Sequence, residues 1–227
     1  MPVPRLVPAN TLFFLCDIQT AFRPAIHAYD QVIATSNKLV KLAKILDIGV
    51  VATTQKARAL GPIDPAIDLS SLGDLLIANY DKTLFSMVTA YVKAILDARP
   101  SINSVVLFGI ESHVCVLQTA LSLLDLQRYT VHIVADGVSS CNAFEVPIAI
   151  QSMRQAGAII GTSESIAFQL VGDAAIPQFK TFSKLIKDNK EGTRRAGEVL
   201  LAGAPAYEKA GESEVIGSGG VIIKSAM

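Results

Sequence analysis

Short apolar runs separated by amphipathic stretches recur along the chain. Leu12-Phe13-Phe14-Leu15-Cys16 is the first such run. A strand covered on both faces is continuously apolar rather than alternating, so this run predicts a buried strand with Asp17 at its carboxyl end. A polar turn, Gln19 to Pro24, follows. Val32, Leu39, Leu42, Ile45 and Leu46 then fall at helical spacing and predict an amphipathic helix over 29–46, stopped at Asp47-Ile48-Gly49. Val50 to Thr54 predicts the second strand. Residues 55–73, with Gly61-Pro62 and Asp64-Pro65, read as a long connection running over the carboxyl ends of the strands. Leu75-Leu76-Ile77 predicts a short third strand or edge, followed by a polar and aromatic turn over 79–86. A helix over 89–98 is closed by Arg99-Pro100.

The densest signal lies at 104–120. Val105 to Phe108 and Ile110, interrupted by Gly109, predict a buried strand, and Val114, Leu117, Leu121 and Leu124 then form one helical stripe. Cys115 therefore falls in the first turn of a helix that follows a buried strand. Unpaired backbone N–H groups and the positive end of the helix dipole favour negative charge there, and they can hold an oxyanion. Tyr129 to Ala135 predicts the next strand, ending at Asp136-Gly137. A helix over 144–156 takes Pro147 in its first turn, Ala158 to Gly161 forms the last core strand, and helices from Ser163 and from Pro177 to Lys187 close the pattern. Strands separated by helical segments, with no hairpin signal, predict an α/β fold. It is a three-layer, Rossmann-like open parallel sheet of about six strands with helices on both faces.

Composition narrows the partners. The chain has 227 residues and no internal repeat, which points to one domain. Its 20 basic and 20 acidic residues cancel, leaving no electrostatic footprint for nucleic acid or an anionic membrane. No apolar run approaches the roughly 18 to 20 residues of a membrane span, and a soluble protein is expected. Cys16, Cys115 and Cys141 leave one thiol over in any disulfide scheme and match no zinc spacing, so a reducing compartment is expected. The cytoplasm is the default, with mitochondrion and peroxisome open; the final Ser225-Ala226-Met227 lacks the basic residue of a peroxisomal address. Beyond Asp188 the charge cluster Lys190 to Arg195 and the Gly-, Ala- and Glu-rich 197–220 predict a C-terminal tail over 189–227, flexible or packed on a neighbouring subunit. Val221-Ile222-Ile223 in it can add a strand to an edge.

Ligands in doubly wound sheets bind outside the carboxyl ends of the strands where strand order reverses. Asp17 ends the first strand and Cys115 follows the fourth, so the two face each other if those strands are neighbours. Lys82 arrives from the connection before the fourth strand, with Phe85 three residues on. Taken singly each has a plain structural reading: a core thiol, a solvated lysine, a turn carboxylate. Cys16 and Cys141 read as structural or incidental. His113, two residues from Cys115, does not share its helix face and is a weaker base than Asp17. His27 and His132 have no evident partners.

Three motifs raise the set above those readings. Asp17-Ile18-Gln19-Thr20-Ala21-Phe22, Lys82-Thr83-Leu84-Phe85-Ser86 and Gly109-Ile110-Glu111-Ser112-His113-Val114-Cys115-Val116 resemble, in order and spacing, the isochorismatase-like cysteine hydrolase family. Thr54-Gln55, Leu60-Gly61-Pro62 and Val134-Ala135-Asp136 with Ser139-Ser140 are similar to its isochorismatase domain-containing branch. The resemblance covers residues 8–188. It implies a triad in which Asp17 takes the thiol proton, Lys82 holds the charges in place and Cys115 attacks a carbonyl to give a thioester that water cleaves. It also implies a cis peptide at Ile110-Glu111 and an oxyanion hole from the backbone N–H groups of Glu111 and Cys115, with Phe22 and Phe85 as pocket walls. Metal-dependent nicotinamidases of the family carry an aspartate and two histidines after the second strand. Here that region reads Thr53-Thr54-Gln55-Lys56-Ala57-Arg58, with no histidine between 28 and 112. No metal and no other cofactor is expected, and nicotinamide is disfavoured. The expectation is a metal-independent hydrolase of a small amide or related acyl compound, with a homo-oligomer implied by the family. The alternatives are a catalytically weak binding or scaffold protein, or a hydrolase of an ether or ester.

Overall fold

The computed structural model describes residues 5–201. Six strands, β1 (Thr11–Cys16), β2 (Gly49–Gln55), β3 (Leu76–Lys82), β4 (Ser104–Ile110), β5 (Thr130–Ser139) and β6 (Ile159–Gly161), form one sheet in the order β3-β2-β1-β4-β5-β6. Every neighbouring pair runs parallel. The order reverses between β1 and β4, the strands that carry Asp17 and lead to Cys115.

The central strand shows why these residues fold this way. All six residues of β1 are buried, and they alternate between two apolar layers. Phe13 and Leu15 pack with Val32, Leu39 and Leu42 of α1 (Tyr29–Leu46), the side that α6 (Ser163–Val171) and α7 (Phe179–Asp188) also cover. Leu12, Phe14 and Cys16 pack on the other side with Val92 and Leu96 of α3 (Ala90–Asp97), with Ala120 and Leu123 of α4 (Leu117–Asp125) and with Ala149 and Met153 of α5 (Glu145–Gln155). With helices on both faces no strand position is left for water, hence the unbroken apolar runs. No helix among the described residues is long and apolar enough to cross a membrane.

The structure departs from the sequence reading at four places. The third strand does not stop at Ile77; β3 continues to Lys82, so Lys82 ends a strand instead of sitting in a turn. As the sheet edge β3 exposes Asn79, Tyr80 and Asp81, and polar residues on an edge hide a strand from apolar patterning. β5 runs on past Asp136-Gly137 to Ser139, its register against β4 shifting between Leu107 and Gly109. The connection after β2 holds a short helix, α2 (Ala57–Leu60). The tail expected from 189 begins instead as α8 (Lys190–Leu200), which packs on α1 and β5 of its own chain. Its buried residues are Ala196 and Leu200, one turn apart among charges, too narrow a stripe to stand out. The rest of that tail, including Val221-Ile222-Ile223, lies outside the described residues.

Candidate active site

The site begins with a close approach of two backbones. Cys16 registers with Gly109 across the β1–β4 pair. Gly109 has φ +125°, and a β-carbon there would stand 2.2 Å from the Cys16 carbonyl oxygen. Only glycine lets the two carboxyl ends converge so tightly. Asp17, at φ 49°, turns the chain out of β1, and its N–H donates to Thr53 O at 3.2 Å.

Asp17 and Lys82 form an ion pair with side-chain exposures of 1% and 0%. Lys82 Nζ donates to Asp17 Oδ2 at 2.6 Å, to Gln55 Oε1 at 2.9 Å and to Phe85 O at 3.0 Å. These acceptors match the three ammonium protons. Asp17 Oδ1 accepts from Thr53 Oγ1 at 2.8 Å. Burying two charges is costly unless their remaining protons and lone pairs find partners, and here they do. Gln55 is fixed in turn, its Nε2 donating to Thr83 O at 2.8 Å and its N–H to Gln19 Oε1 at 2.7 Å. Gln19 Nε2 donates on to Gly61 O at 2.7 Å. Thr53, Gln55 and Gln19 have roles that the motif reading did not assign. Their signal was position, at the carboxyl ends of β1 and β2 beside the switch point.

Cys115 is 6% exposed and sits in a π-helical turn, Ser112–Val116, that leads into α4. Wide turns of this kind recur at functional sites. Glu111 O accepts from the N–H groups of both Val114 and Val116 at 3.1 Å. The Ile110–Glu111 peptide is cis, as the resemblance implies. Thr119 Oγ1 donates to Cys115 O at 2.6 Å and accepts from Met87 N at 2.9 Å, tying the turn to the segment after Lys82. Ser112 Oγ is buried with no hydrogen-bond partner among the described residues.

Cys16, a core residue of β1, also lies against this group. Its Sγ lies 3.6 Å from Asp17 Oδ2. Burial pushes its thiol well above the ordinary value; the neighbouring Cys115 and the Asp17 carboxylate push the same way, and Lys82 opposes them. Strand alternation explains the meeting, since Cys16 and Cys115 face the same apolar layer. The two expected pocket walls are less engaged. The half-buried Phe22 ring packs against the α1-side core, while Phe85 is 49% exposed and gives Lys82 its carbonyl. A cavity of about 370 Å³ opens elsewhere, between Asp136 of β5, the start of α6 at Thr162 and Glu164, and Thr193 of α8.

The family model for the isochorismatase domain matches residues 11–165, which include Asp17, Lys82 and Cys115. The chain belongs to the isochorismatase-like hydrolase family. Within it, the chain is 42% identical over 184 residues to isochorismatase domain-containing protein 2 of Bos taurus, covering 81% of this chain and 86% of that one. A solved MAR1 ribonuclease from Caenorhabditis elegans is 38% identical, with TM-score 0.74 over 81% of this chain and 93% of that one. The family fold extends to YcaC of Escherichia coli, an octameric hydrolase of unknown specificity, at 21% identity and TM-score 0.65 over 89% of this chain and 93% of that one.

Proposed function

We propose that this isochorismatase-like hydrolase is a metal-independent cysteine hydrolase of a small amide or related acyl compound. The observation that carries the reading is the desolvated Asp17–Lys82 pair at the carboxyl end of β1, the neighbour of β4, the strand that the turn of Cys115 follows. In the proposed reaction the Cys115 sulfur bonds to the carbonyl carbon while its proton passes to Asp17. The carbonyl electron pair moves to oxygen, where the backbone N–H groups of Glu111 and Cys115 receive it. Collapse expels the amine, which takes the proton from Asp17 and leaves a thioester. Water, giving a proton to Asp17, then attacks the thioester; the acid departs and the proton returns to sulfur. Lys82 is a positioning residue that keeps Asp17 oriented between turnovers. Phe22 and Phe85 serve as walls for the substrate. The cytoplasm is the compartment this free nucleophile suits, and a homo-oligomer is part of the reading, with Leu121 on α4, Phe144 just before α5 and Ile148 on α5 as exposed apolar contacts.

The likeness to a protein named as a ribonuclease gives a second reading, phosphodiester cleavage. Against it stands the balance of 20 basic and 20 acidic residues, since RNA-binding chains carry a basic surface.

The test is the rate of Cys115 alkylation at neutral pH, read by mass spectrometry with a chelator present, in the intact chain and in Asp17→Asn and Lys82→Ala variants. Cys115 is expected to react far faster than Cys16 or Cys141, and both substitutions should change that rate. An inert Cys115, or one indifferent to both, favours the scaffold reading. Screening amides, esters, ethers and an RNA oligomer then separates the substrate classes.

A further inference from the structure

Beside the candidate nucleophile, three side chains of different chemistry converge without any part in the reaction proposed above. Glu111 and His113 flank the start of the π-helical turn, and Cys141 comes from the segment just after β5. One carboxylate oxygen, one imidazole nitrogen and the Cys141 sulfur all lie within 4.8 Å of one another. Around a tetrahedral ion with bonds of about 2.0 to 2.3 Å, ligand atoms stand roughly 3.3 to 3.8 Å apart. The group is thus within about 1 to 1.5 Å of closing, and exposed Cys141 has the freedom to complete it.

The surroundings already orient the donors. Glu111 Oε2 accepts the Cys141 backbone N–H at 2.7 Å, which holds the carboxylate against the segment that carries the thiol. Ser140 Oγ holds His113 Nδ1 at 2.9 Å, the kind of outer contact that fixes a ligating ring. A thiolate, an imidazole and a carboxylate together suit a borderline-soft divalent ion better than a hard one such as magnesium or calcium.

We propose that Glu111, His113 and Cys141 form a three-donor site for Zn²⁺ or an ion of its class, with a fourth position open to water. On binding, the sulfur–hydrogen bond of Cys141 breaks, its proton leaves to solvent and the sulfur–metal bond forms. Two donors ride on the turn that carries Cys115 and the third on the segment just after β5, so the ion staples the turn to the end of β5. The site is independent of the hydrolase reading, because occupancy is read without turnover.

The experiment uses the full chain, stripped with a chelator and titrated with Co²⁺. Binding is followed by the thiolate-to-cobalt charge-transfer band and the visible bands of tetrahedral cobalt, with Zn²⁺ as the displacing ion. One equivalent is expected to give both signals. They should survive Cys115→Ser and Cys16→Ser, disappear in Cys141→Ser and weaken at least about tenfold in affinity in His113→Ala, Glu111→Gln and Ser140→Ala. No thiolate band at stoichiometric ion would overturn the proposal. So would a band that persists in Cys141→Ser, or one lost in Cys115→Ser, which would place the ion on the nucleophile instead.

Discussion

The buried Cys16 Sγ lies 3.6 Å from Asp17 Oδ2, and Cys16 shares its apolar layer with Cys115, which sits in the turn beyond the neighbouring strand. Burial and the adjacent Asp17 carboxylate push the Cys16 thiol far above its ordinary value. At neutral pH Cys16 is therefore expected to stay unmodified in the native chain under conditions that label exposed Cys141, and to react once the chain is unfolded in denaturant. Peptide mapping after differential alkylation checks this; native labelling of Cys16 at the rate of Cys141 would refute it.

The Asp17–Lys82 pair should show strong coupling. Lys82→Met alone leaves a buried carboxylate without its counter-charge, a change that costs about 3 to 5 kcal/mol at buried pairs. Adding Asp17→Asn removes that charge, so the double variant is expected to be more stable than Lys82→Met. Urea unfolding of the four members of the cycle measures the difference, and additive losses would contradict it.

Gln55→Leu removes the acceptor at 2.9 Å from Lys82 Nζ and the donor to Thr83 O. An ammonium proton is then buried without a partner, and stability should fall by about 1 to 3 kcal/mol. Cys115 alkylation should slow in the same variant if Lys82 positions Asp17 as proposed.

Gly109→Ala puts a β-carbon 2.2 Å from the Cys16 carbonyl oxygen at φ +125°. The loss should exceed the roughly 1 kcal/mol of an ordinary glycine substitution. Gly73→Ala, at φ +53° with nothing within 4 Å, carries the backbone strain without the clash and should cost less. Thermal unfolding of the two variants separates strain from clash.

His132, 2% exposed, lies inside β5, its Nδ1 without a partner among the described residues, and burial lowers its pKa to about 4. The unfolded value is about 6.5. As pH falls from 6.5 toward 4, the unfolded chain takes up a proton that the folded chain refuses, so stability drops through that window by up to about 3 kcal/mol. Above pH 6.5 the group contributes no pH dependence. His132→Leu should flatten the slope of stability between about pH 6.5 and 4. Parallel slopes for the two proteins would show that His132 carries none of it.

Much of this architecture was readable from apolar runs alone, because a doubly covered sheet writes its strands as unbroken hydrophobic segments. The helix over 29–46 follows from spacing, whereas the β1–β4 neighbourhood enters the sequence reading only as a condition, which the sheet order meets. What escaped had physical reasons. β3 is an edge, so Asn79, Tyr80 and Asp81 look like a turn. α8 shows only Ala196 and Leu200 to the core, within a run of charges. Asp17, Lys82 and Cys115 stand in motifs that the sequence shows, whereas Thr53 and Gln55 are polar groups closing a strand and carry no pattern until the sheet places Lys82 beside them. Cys16 reads as structural or incidental because a strand position does not say that its face is the layer it shares with Cys115.

Parallel pairing has a consequence for how this site comes into being. Each partner strand must be reached through a long crossover, and Asp17 meets Lys82 across 65 residues of chain. Contacts of such high contact order form late and only with the architecture around them. No fragment ending before β4 holds both the pair and the turn of Cys115, so the reactivity of that one sulfur reports on the assembly of β1 through β4.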